Sequence, residues 1–272
     1  MEPQTELLRA MVAAARAAGD RLRLDFAEIS QLEVSFKGGP GDPFSIADLR
    51  AEETVKAMLA AFRPDYGFLG EEGGVTAGAD PSHLWIVDPL DGTMNFLCGV
   101  PIFAVNIALA VDGVAVAGVT YDPMAGEMFW AEKGCGAFMN GAPIRVSTRP
   151  TISQSILSVG IPFIGKPRQE QFVHEMSLLT PRAGSLRRLG AGAVDMAYVA
   201  CGRFDAFWEQ AVKPWDMAAG AILVQEAGGL CTGTLGEPLD LMGGTCLAST
   251  PQIHAELVDA LAPIDDGAVR YA

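Results

Sequence analysis

Residues 85–93 carry the clearest chemical signal in this chain and read Trp-Ile-Val-Asp-Pro-Leu-Asp-Gly-Thr. The apolar run predicts a strand that ends at Asp88, Pro89 predicts a turn, and a second acid, Asp91, follows three residues after the first. This arrangement can aim two carboxylates at one point, with the backbone carbonyl of Leu90 as a further oxygen ligand. Because such oxygens are the ligands of Mg²⁺ and Ca²⁺, the segment indicates a divalent-cation site.

The end of the same segment predicts an anion site. Asp91-Gly92-Thr93 is typical of a helix start. The N–H groups and the positive dipole end at a helix start favour a phosphate, and Gly92 leaves room for its close approach. The alternative is an ordinary turn in which Asp91 only caps the helix.

Two more acids stand at the ends of apolar elements. Glu71 follows a short apolar run, and Asp216 opens a helix whose body is almost wholly apolar. Each alone is compatible with a strand end or a helix cap. Clustered with Asp88 and Asp91 but without cations, they would repel one another and raise one another's pKa values. A pair of Mg²⁺ ions, about 3.5–4 Å apart in two-metal sites, would remove that repulsion.

Hydrophobic periodicity predicts the elements that position these acids. Helices are predicted over residues 6–26, 47–62, 169–179, 193–201 and 215–227. Strands are predicted over 66–69, 84–87, 102–111, 114–122, 127–132, 155–159, 186–189 and 205–208, and a last strand and helix fill 245–262. We therefore expect an α+β fold with two subdomains. Residues 1–146 form an α+β subdomain that carries most metal ligands, and residues 147–272 an α/β subdomain with the substrate-side residues.

Composition excludes several classes of protein. The 272 residues include 19 Lys and Arg against 33 Asp and Glu, a net charge of −14, which argues against binding to nucleic acid or to an anionic membrane. Half of the residues are hydrophobic, as in a globular protein. Five cysteines without a CxxC pair predict neither a disulfide framework nor a zinc cluster, and no signal peptide or membrane span is recognisable. We expect a soluble, cytoplasmic protein.

The acidic blocks resemble the signatures of the inositol monophosphatase family. The matching segments are Glu71-Glu72, Asp88–Thr93 and Trp215–Gly220, with Ser45–Asp48 in the place of the family's T-x-x-D element. The likeness runs from about residue 7 to residue 261 and agrees in order, spacing and flanking hydrophobicity. It implies a layered α/β/α/β/α sandwich of the sugar-phosphatase type, usually a homodimer. It also implies Mg²⁺-dependent, lithium-sensitive hydrolysis of phosphate monoesters.

The resemblance further implies a metal site with two or three Mg²⁺ ions per subunit. Glu71, Asp88 and the carbonyl of Leu90 would bind the first ion. Asp88, Asp91 and Asp216 would bind the second, and Glu71 would also help to hold a weaker third.

For the reaction itself, the resemblance implies that Asp48 and Thr93 orient and activate the attacking water beside Glu71. The phosphate would be bound by Asp91, Gly92 and Thr93. An aspartyl-phosphate mechanism is disfavoured, because its D-x-D-x-T pattern is absent from a segment that reads D-x-x-D-G-T.

The substrate is expected to be a small polyol phosphate, with inositol 1-phosphate converted to myo-inositol and phosphate by metal-activated water. In the family, an acid at the position of Glu209 bonds substrate hydroxyls, and the turn Gly190-Ala191-Gly192 opens a helix along the same pocket. Histidinol phosphate is the alternative substrate, because an acid also suits its ammonium group. An alternative of another class is a regulatory binding protein of RNA metabolism, although the net charge and the intact set of acids favour catalysis. Met94 stands where a small polar residue is commoner and would crowd the phosphate mouth.

Overall fold

The structure is a computed structural model that describes residues 2–32, 34–36, 43–162 and 167–262. Within these ranges the α-helices are Glu6–Ala27 (α1), Ile46–Phe62 (α2), Thr93–Leu97 (α3), Gln169–Leu179 (α4), Gly192–Ala200 (α5), Pro214–Glu226 (α6) and His254–Ala260 (α7). Short 3-10 turns lie at Ile29–Gln31 and Ile152–Gln154. No helix of the described ranges is both long enough and apolar enough to cross a membrane.

The strands of the described ranges form three sheets. Val34–Phe36 (β1) and Pro43–Ser45 (β2) make a two-stranded ribbon. The next strands are Tyr66–Gly70 (β3), Gly74–Thr76 (β4), Asp80–Asp91 (β5), Ala104–Val111 (β6), Val114–Asp122 (β7), Glu127–Glu132 (β8), Gly136–Met139 (β9) and Ala142–Ile144 (β10). They form one sheet in the order β10-β9-β8-β7-β6-β5-β3-β4.

The third sheet follows later in the chain. Its strands are Ile156–Val159 (β11), Ser185–Arg187 (β12), Ala206–Gln210 (β13), Leu230–Thr232 (β14) and Thr245–Ser249 (β15). They lie in the order β12-β11-β13-β15-β14, with β11 parallel to both β12 and β13 and with β15 antiparallel to β13.

Helices and sheets stack in five layers. α1 and α2 cover one face of the eight-stranded sheet, and α5 and α6 fill the space between its other face and the five-stranded sheet. α4 and α7 cover the far face of the five-stranded sheet. The predicted α+β layered sandwich is therefore confirmed. Because α6 lies between two sheets, every residue from Met217 to Val224 is buried, which explains its apolar sequence.

The first helix shows why these sequences form these elements. α1 begins after Thr5, whose hydroxyl accepts the N–H of Leu8 at 3.1 Å. Its buried side chains recur every three or four residues, as an amphipathic helix requires, and include Leu8, Met11, Ala15, Ala18 and Leu22.

The end of β5 differs from the prediction. The strand was expected to begin at residue 84, to stop at Asp88 and to turn at Pro89, but it runs from Asp80 to Asp91. Its pairing with β6 shifts between Asp88, opposite Asn106, and Asp91, opposite Ala104. Two residues of β5 thus stand against one of β6, which is a β-bulge. A bulge tolerates Pro89, which has no N–H to donate to the neighbouring strand.

The other predicted elements lie within about two residues of their observed bounds, which is the usual uncertainty of a boundary. Six strands were not predicted, namely β1, β2, β4, β9, β10 and β14. Each has only three or four residues, too few for an alternating pattern to stand out.

Candidate active site

The ends of two parallel strands bring the first three acids to one edge of the eight-stranded sheet. β3 and β5 are parallel neighbours, with Gly70 opposite Val87. Glu71 leaves β3 at the edge where β5 carries Asp88 and Asp91. The N–H of Glu71 donates to the carbonyl oxygen of Val87 at 3.2 Å, so its backbone still follows β5.

Asp216 reaches the same region from the first turn of α6. Its Oδ2 accepts the N–H of Lys213 at 2.8 Å, which caps the helix. The side-chain amide of buried Asn106, on β6, donates to the carbonyl oxygen of Trp215 at 2.7 Å. The hydroxyl of Thr120 donates to Asn106 Oδ1 at 2.7 Å. Asn106 thus ties the start of α6 to the centre of the sheet.

A cavity of about 350 Å³ lies between the strand ends and the starts of α5 and α6. Every predicted site residue except Asp48 lines it, namely Glu71, Asp88, Leu90, Asp91, Gly92, Thr93, Gly190, Ala191, Gly192, Glu209 and Asp216. Asp48 lies outside the lining and contacts Thr93. Residues from distant parts of the chain therefore share one cavity.

Burial and the charges of neighbouring acids raise the pKa values of the acids in this cavity. Burial raises the pKa of Asp88 well above its usual range, and the charges of three neighbouring acids raise it further. Burial raises the pKa of Asp216 in the same way, followed by the charges of Glu209 and Glu71. The pKa of Asp91 is raised to about 7, first by burial and then by the charges of Glu209 and Glu71. Each carboxylate is therefore a place where a cation would be favourable.

The structure places these acids around one cavity. In the part of the chain that the structure describes, no three Asp, Glu, His or Cys side chains are arranged so that they could hold a metal ion as they are placed. The acids share one cavity, and their convergence on common metal ions stays a prediction.

Gly92 lies where the N-termini of α3 and α5 meet. Its φ is +91°, in the left-handed region. A Cβ at this position would lie 3.0 Å from the carbonyl oxygen of Ile102 and 3.1 Å from the Cβ of Ala191, so glycine is required. Asp91 Oδ2 accepts the N–H of Ala193, in the first turn of α5, at 2.8 Å. Two helix N-termini thus border the cavity, and helix N-termini favour anions.

Thr93 connects the cavity to Asp48. Its hydroxyl lies 3.0 Å from Asp48 Oδ1 and 2.9 Å from the carbonyl oxygen of Leu90, and it can donate its one proton to either acceptor. Asp48 Oδ2 accepts both the N–H and the hydroxyl of Ser45 at 2.8 Å, in the capping box of α2. Burial raises the pKa of Asp48. The helix cap therefore also orients the acid behind Thr93.

Glu209 lies on β13 and lines the same cavity. Its carboxyl carbon would be 2.2 Å from a Cβ at Gly160, and its Oε2 3.7 Å from a Cβ at Gly192, so the carboxylate packs against these two glycines. Met94, at the mouth of the cavity, is 44 % exposed.

Asp195 and Asn95 belong to the site and were not predicted. Asp195 on α5 lines the cavity, is 1 % exposed and accepts the hydroxyl of Ser158; burial raises its pKa well above the usual range. Arg188 also lines the cavity. The amide of Asn95 donates to the carbonyl oxygen of Leu189 at 2.8 Å and holds the loop before α5. A lone acid in an apolar helix gives no sign of the face it occupies, so the sequence offered no signal for Asp195.

Comparison with known proteins decides the family. The sequence matches the model of the inositol monophosphatase family over residues 3–265. The chain belongs to the inositol monophosphatase family. The inositol-1-monophosphatase of Caulobacter vibrioides is 46 % identical over 254 residues, which cover 92 % of this chain and 99 % of that protein. The Nus factor SuhB of Pseudomonas aeruginosa is 38 % identical over 261 residues, covering 94 % and 96 % respectively.

A solved structure agrees with the sequence comparison. The crystal structure of extragenic suppressor protein suhB from Bartonella henselae matches with a TM-score of 0.91 at 41 % identity, covering 97 % of this chain and 100 % of that one. As a member of the inositol monophosphatase family, the chain is a phosphoric monoester hydrolase. Members of this family generally depend on a metal, and the cavity described above is where its acids gather.

Proposed function

We propose that this chain hydrolyses inositol 1-phosphate to myo-inositol and phosphate with the help of Mg²⁺. The observation that carries the proposal is the single cavity lined by Glu71, Asp88, Asp91, Glu209 and Asp216, in which burial and the charges of neighbouring acids raise the pKa values of the three aspartates. Acids in that state favour cations, and cations in turn favour a phosphate dianion. The name of the Caulobacter vibrioides relative supports the same substrate.

The oxygen donors of the cavity fit a hard divalent cation. Carboxylates and a backbone carbonyl are the ligands that Mg²⁺ prefers. We assign Glu71, Asp88 and the Leu90 carbonyl to a first ion and Asp88, Asp91 and Asp216 to a second, with Glu71 beside a weaker third. Bound cations would cancel the repulsion between these carboxylates. When bound, the ions would supply the Lewis acidity that activates a water and stabilises the leaving oxygen.

Thr93 and Asp48 would orient the attacking water and accept its proton. The Thr93 hydroxyl can accept a hydrogen bond from water while it donates to Asp48 Oδ1 at 3.0 Å. The two bonds from Ser45 hold Asp48 Oδ2, so that Oδ1 faces Thr93. Because burial raises the pKa of Asp48, its carboxylate is a better proton acceptor than an exposed acid.

The phosphate would lie at the two helix starts beside Gly92. The segment Asp91, Gly92 and Thr93 borders the cavity at the N-terminus of α3, and the turn 190–192 borders it at the N-terminus of α5. The helix dipoles favour an anion at this position. The close contact of Gly92 with Ala191 supports the proposal, since it brings both helix starts to one place.

The alcohol part of the substrate would contact Glu209 and the turn Gly190-Ala191-Gly192. A carboxylate accepts hydrogen bonds from several hydroxyls, which suits a polyol. Histidinol phosphate is the alternative substrate, because the charge of Glu209 would also pair with an ammonium group.

Phosphate release from inositol 1-phosphate and from histidinol phosphate tests the proposal. We expect release from inositol 1-phosphate that needs Mg²⁺ and falls when Li⁺ is added. Faster release from histidinol phosphate would transfer the proposal to that substrate. Release from neither compound would contradict a polyol or amino-alcohol phosphatase.

A binding role in RNA metabolism is the second candidate, because a 38 % identical relative carries the name Nus factor SuhB. The net charge of −14 makes direct contact with nucleic acid unfavourable, so such a role would need a protein partner. An Asp91→Asn variant that loses phosphate release separates the two roles, because a binding function would survive it.

Three further properties belong to the proposal. We infer two subdomains, residues 1–146 and 147–272, because the eight-stranded sheet ends at Ile144 and the five-stranded sheet begins at Ile156. We infer the cytoplasm, in keeping with five free cysteines. A homodimer follows from the family resemblance, and light scattering of the purified protein tests it.

A further inference from the structure

Glu52 is a buried acid outside the cavity and has a specific task. It lies on α2 and is 6 % exposed. Its Oε2 accepts the backbone N–H of Glu72 at 2.8 Å, and its Oε1 accepts the N–H of Gly73 at 2.7 Å. Its carboxylate therefore binds the two residues that directly follow Glu71.

The position of Glu52 on α2 links both sides of the site. It follows Asp48 by four residues, so the two acids project from the same face of the helix. Asp48 contacts Thr93, while Glu52 holds the turn after β3. A single helix face thus sets the positions of Thr93 and of the Glu71 turn relative to each other.

The glycines of this turn are spaced for the carboxylate. A Cβ at Gly70 would lie 2.3 Å from Glu52 Oε2, and a Cβ at Gly73 would lie 2.6 Å from Oε1. Real Cβ atoms do not approach so closely, so both positions need glycine for Glu52 to reach the backbone. The glycines of the run Gly70-Glu71-Glu72-Gly73-Gly74 therefore leave the space that the Glu52 carboxylate occupies.

We propose that Glu52 is a positioning residue, which fixes the backbone after Glu71 so that the Glu71 carboxylate is presented to the metal site. The inference rests on the proposed function, since it requires that Glu71 binds Mg²⁺. Two hydrogen bonds to one charged acceptor are stronger than bonds between neutral groups and fix both distance and angle. Residues that orient a metal ligand without touching the metal govern affinity through that ligand.

Calorimetric titration of the full chain with Mg²⁺ tests the proposal, alongside kinetics at increasing Mg²⁺. Glu52→Gln keeps the shape but turns its amide NH₂ toward one backbone N–H, so one bond is lost. We expect Mg²⁺ affinity to fall about 10- to 100-fold, the range for residues that orient a metal ligand. At saturating Mg²⁺ the kcat should largely return, and the KM for inositol 1-phosphate should change little. Glu53→Gln, at the exposed neighbouring position, is the control and should match the wild type.

Gly73→Ala is a second variant that disturbs the same contact from the other side, and it should weaken Mg²⁺ binding as Glu52→Gln does. Wild-type Mg²⁺ affinity in both variants would overturn the role of Glu52, even if both melt at lower temperature, because a merely structural role predicts that pattern. No Mg²⁺ binding by the wild type would instead overturn the metal site of the proposed function, and the inference with it.

Discussion

Buried carboxylates occur in two regions of this protein with opposite surroundings. On the far face of the five-stranded sheet, Glu175 is fully buried and accepts N–H bonds from Gln171, Trp208 and Gln210 at 2.8–3.0 Å. In the cavity, Asp88 is almost as buried but accepts only the N–H of Leu90 among the hydrogen bonds of the described residues, and it faces other acids.

Asp205 is a second example of the first kind. It is fully buried, accepts the guanidinium of Arg149 at 2.9 Å and accepts the N–H of Ile156 at 2.7 Å. Its charge is matched by donors of the protein itself. The difference shows how the two kinds of buried acid can be distinguished. An acid that supports the fold is surrounded by hydrogen-bond donors, whereas an acid that serves as a metal ligand is surrounded by other acids and is stabilised by a bound cation.

The largest effect is expected from Asp205→Ala. Removing the buried carboxylate leaves the N–H of Ile156 and the guanidinium of Arg149, which is 38 % exposed, without their acceptor. The expected cost is about 1–3 kcal/mol in the free energy of unfolding for each buried donor left unsatisfied. Urea unfolding measures the loss, with Asp259→Ala at an exposed helix position as control. A loss below about 1 kcal/mol, the size of an ordinary substitution, would contradict the structural role.

Asp91→Asn is expected to lower activity while leaving stability unchanged or higher, in contrast to Asp205→Ala. Phosphate release should fall by at least about 100-fold, beyond what loss of an indirect partner of the metal causes. The metal-free melting temperature should stay level or rise, because one repelling charge is removed and the amide oxygen can still accept the Ala193 N–H. Calorimetry and initial rates test both parts. Full turnover in this variant would contradict the role of Asp91 as a metal ligand.

Mg²⁺ itself should stabilise the protein in a pH-dependent way. The folded-state pKa of Asp91 is raised from 3.8 to about 7, so the stability gained from its neutral form is full below about pH 4 and is lost as pH rises through 7. Mg²⁺ needs the ionised acid and should restore this stability at pH 8 more than at pH 5.5. At 100 times the Kd, binding adds about 2.7 kcal/mol, or about 5–10 °C in Tm. A Tm shift equal at both pH values would count against repulsion among the acids.

The smallest effect is expected from a substitution of Glu209, the proposed contact for the substrate hydroxyls. Glu209→Gln should raise the KM for inositol 1-phosphate about tenfold, the worth of a hydrogen bond to a charged group, with kcat within a few-fold. A phosphate ester without hydroxyls, such as p-nitrophenyl phosphate, is the matched control and should be unaffected. An equal loss on both substrates would place Glu209 with the ligand acids instead of the substrate contacts.

The sequence predicted the acids of the cavity better than the residues that hold those acids in place. Glu71, Asp88, Asp91 and Asp216 each follow or open an apolar element, and that local pattern is visible in the chain. Asn106 stands within an apolar run, and no local pattern marks its role, because its partner Trp215 lies 109 residues away.

The same limit applies to Glu52 and to the bulge in β5. The N–H groups that Glu52 accepts come 20 and 21 residues later, from a turn whose position depends on the β3–β5 pairing. The bulge between Asp88 and Asp91 depends on β6, which a turn prediction at Pro89 does not consider. Contacts made through tertiary structure leave no local pattern, so only the fold reveals them.

Crystals grown with Mn²⁺, whose anomalous scattering locates it directly, give the most direct test of the central claim. We expect two strong peaks in the cavity, with the carboxylates of Glu71, Asp88, Asp91 and Asp216 turned toward them. Crystals in which the cavity holds no peak at saturating Mn²⁺ would contradict it.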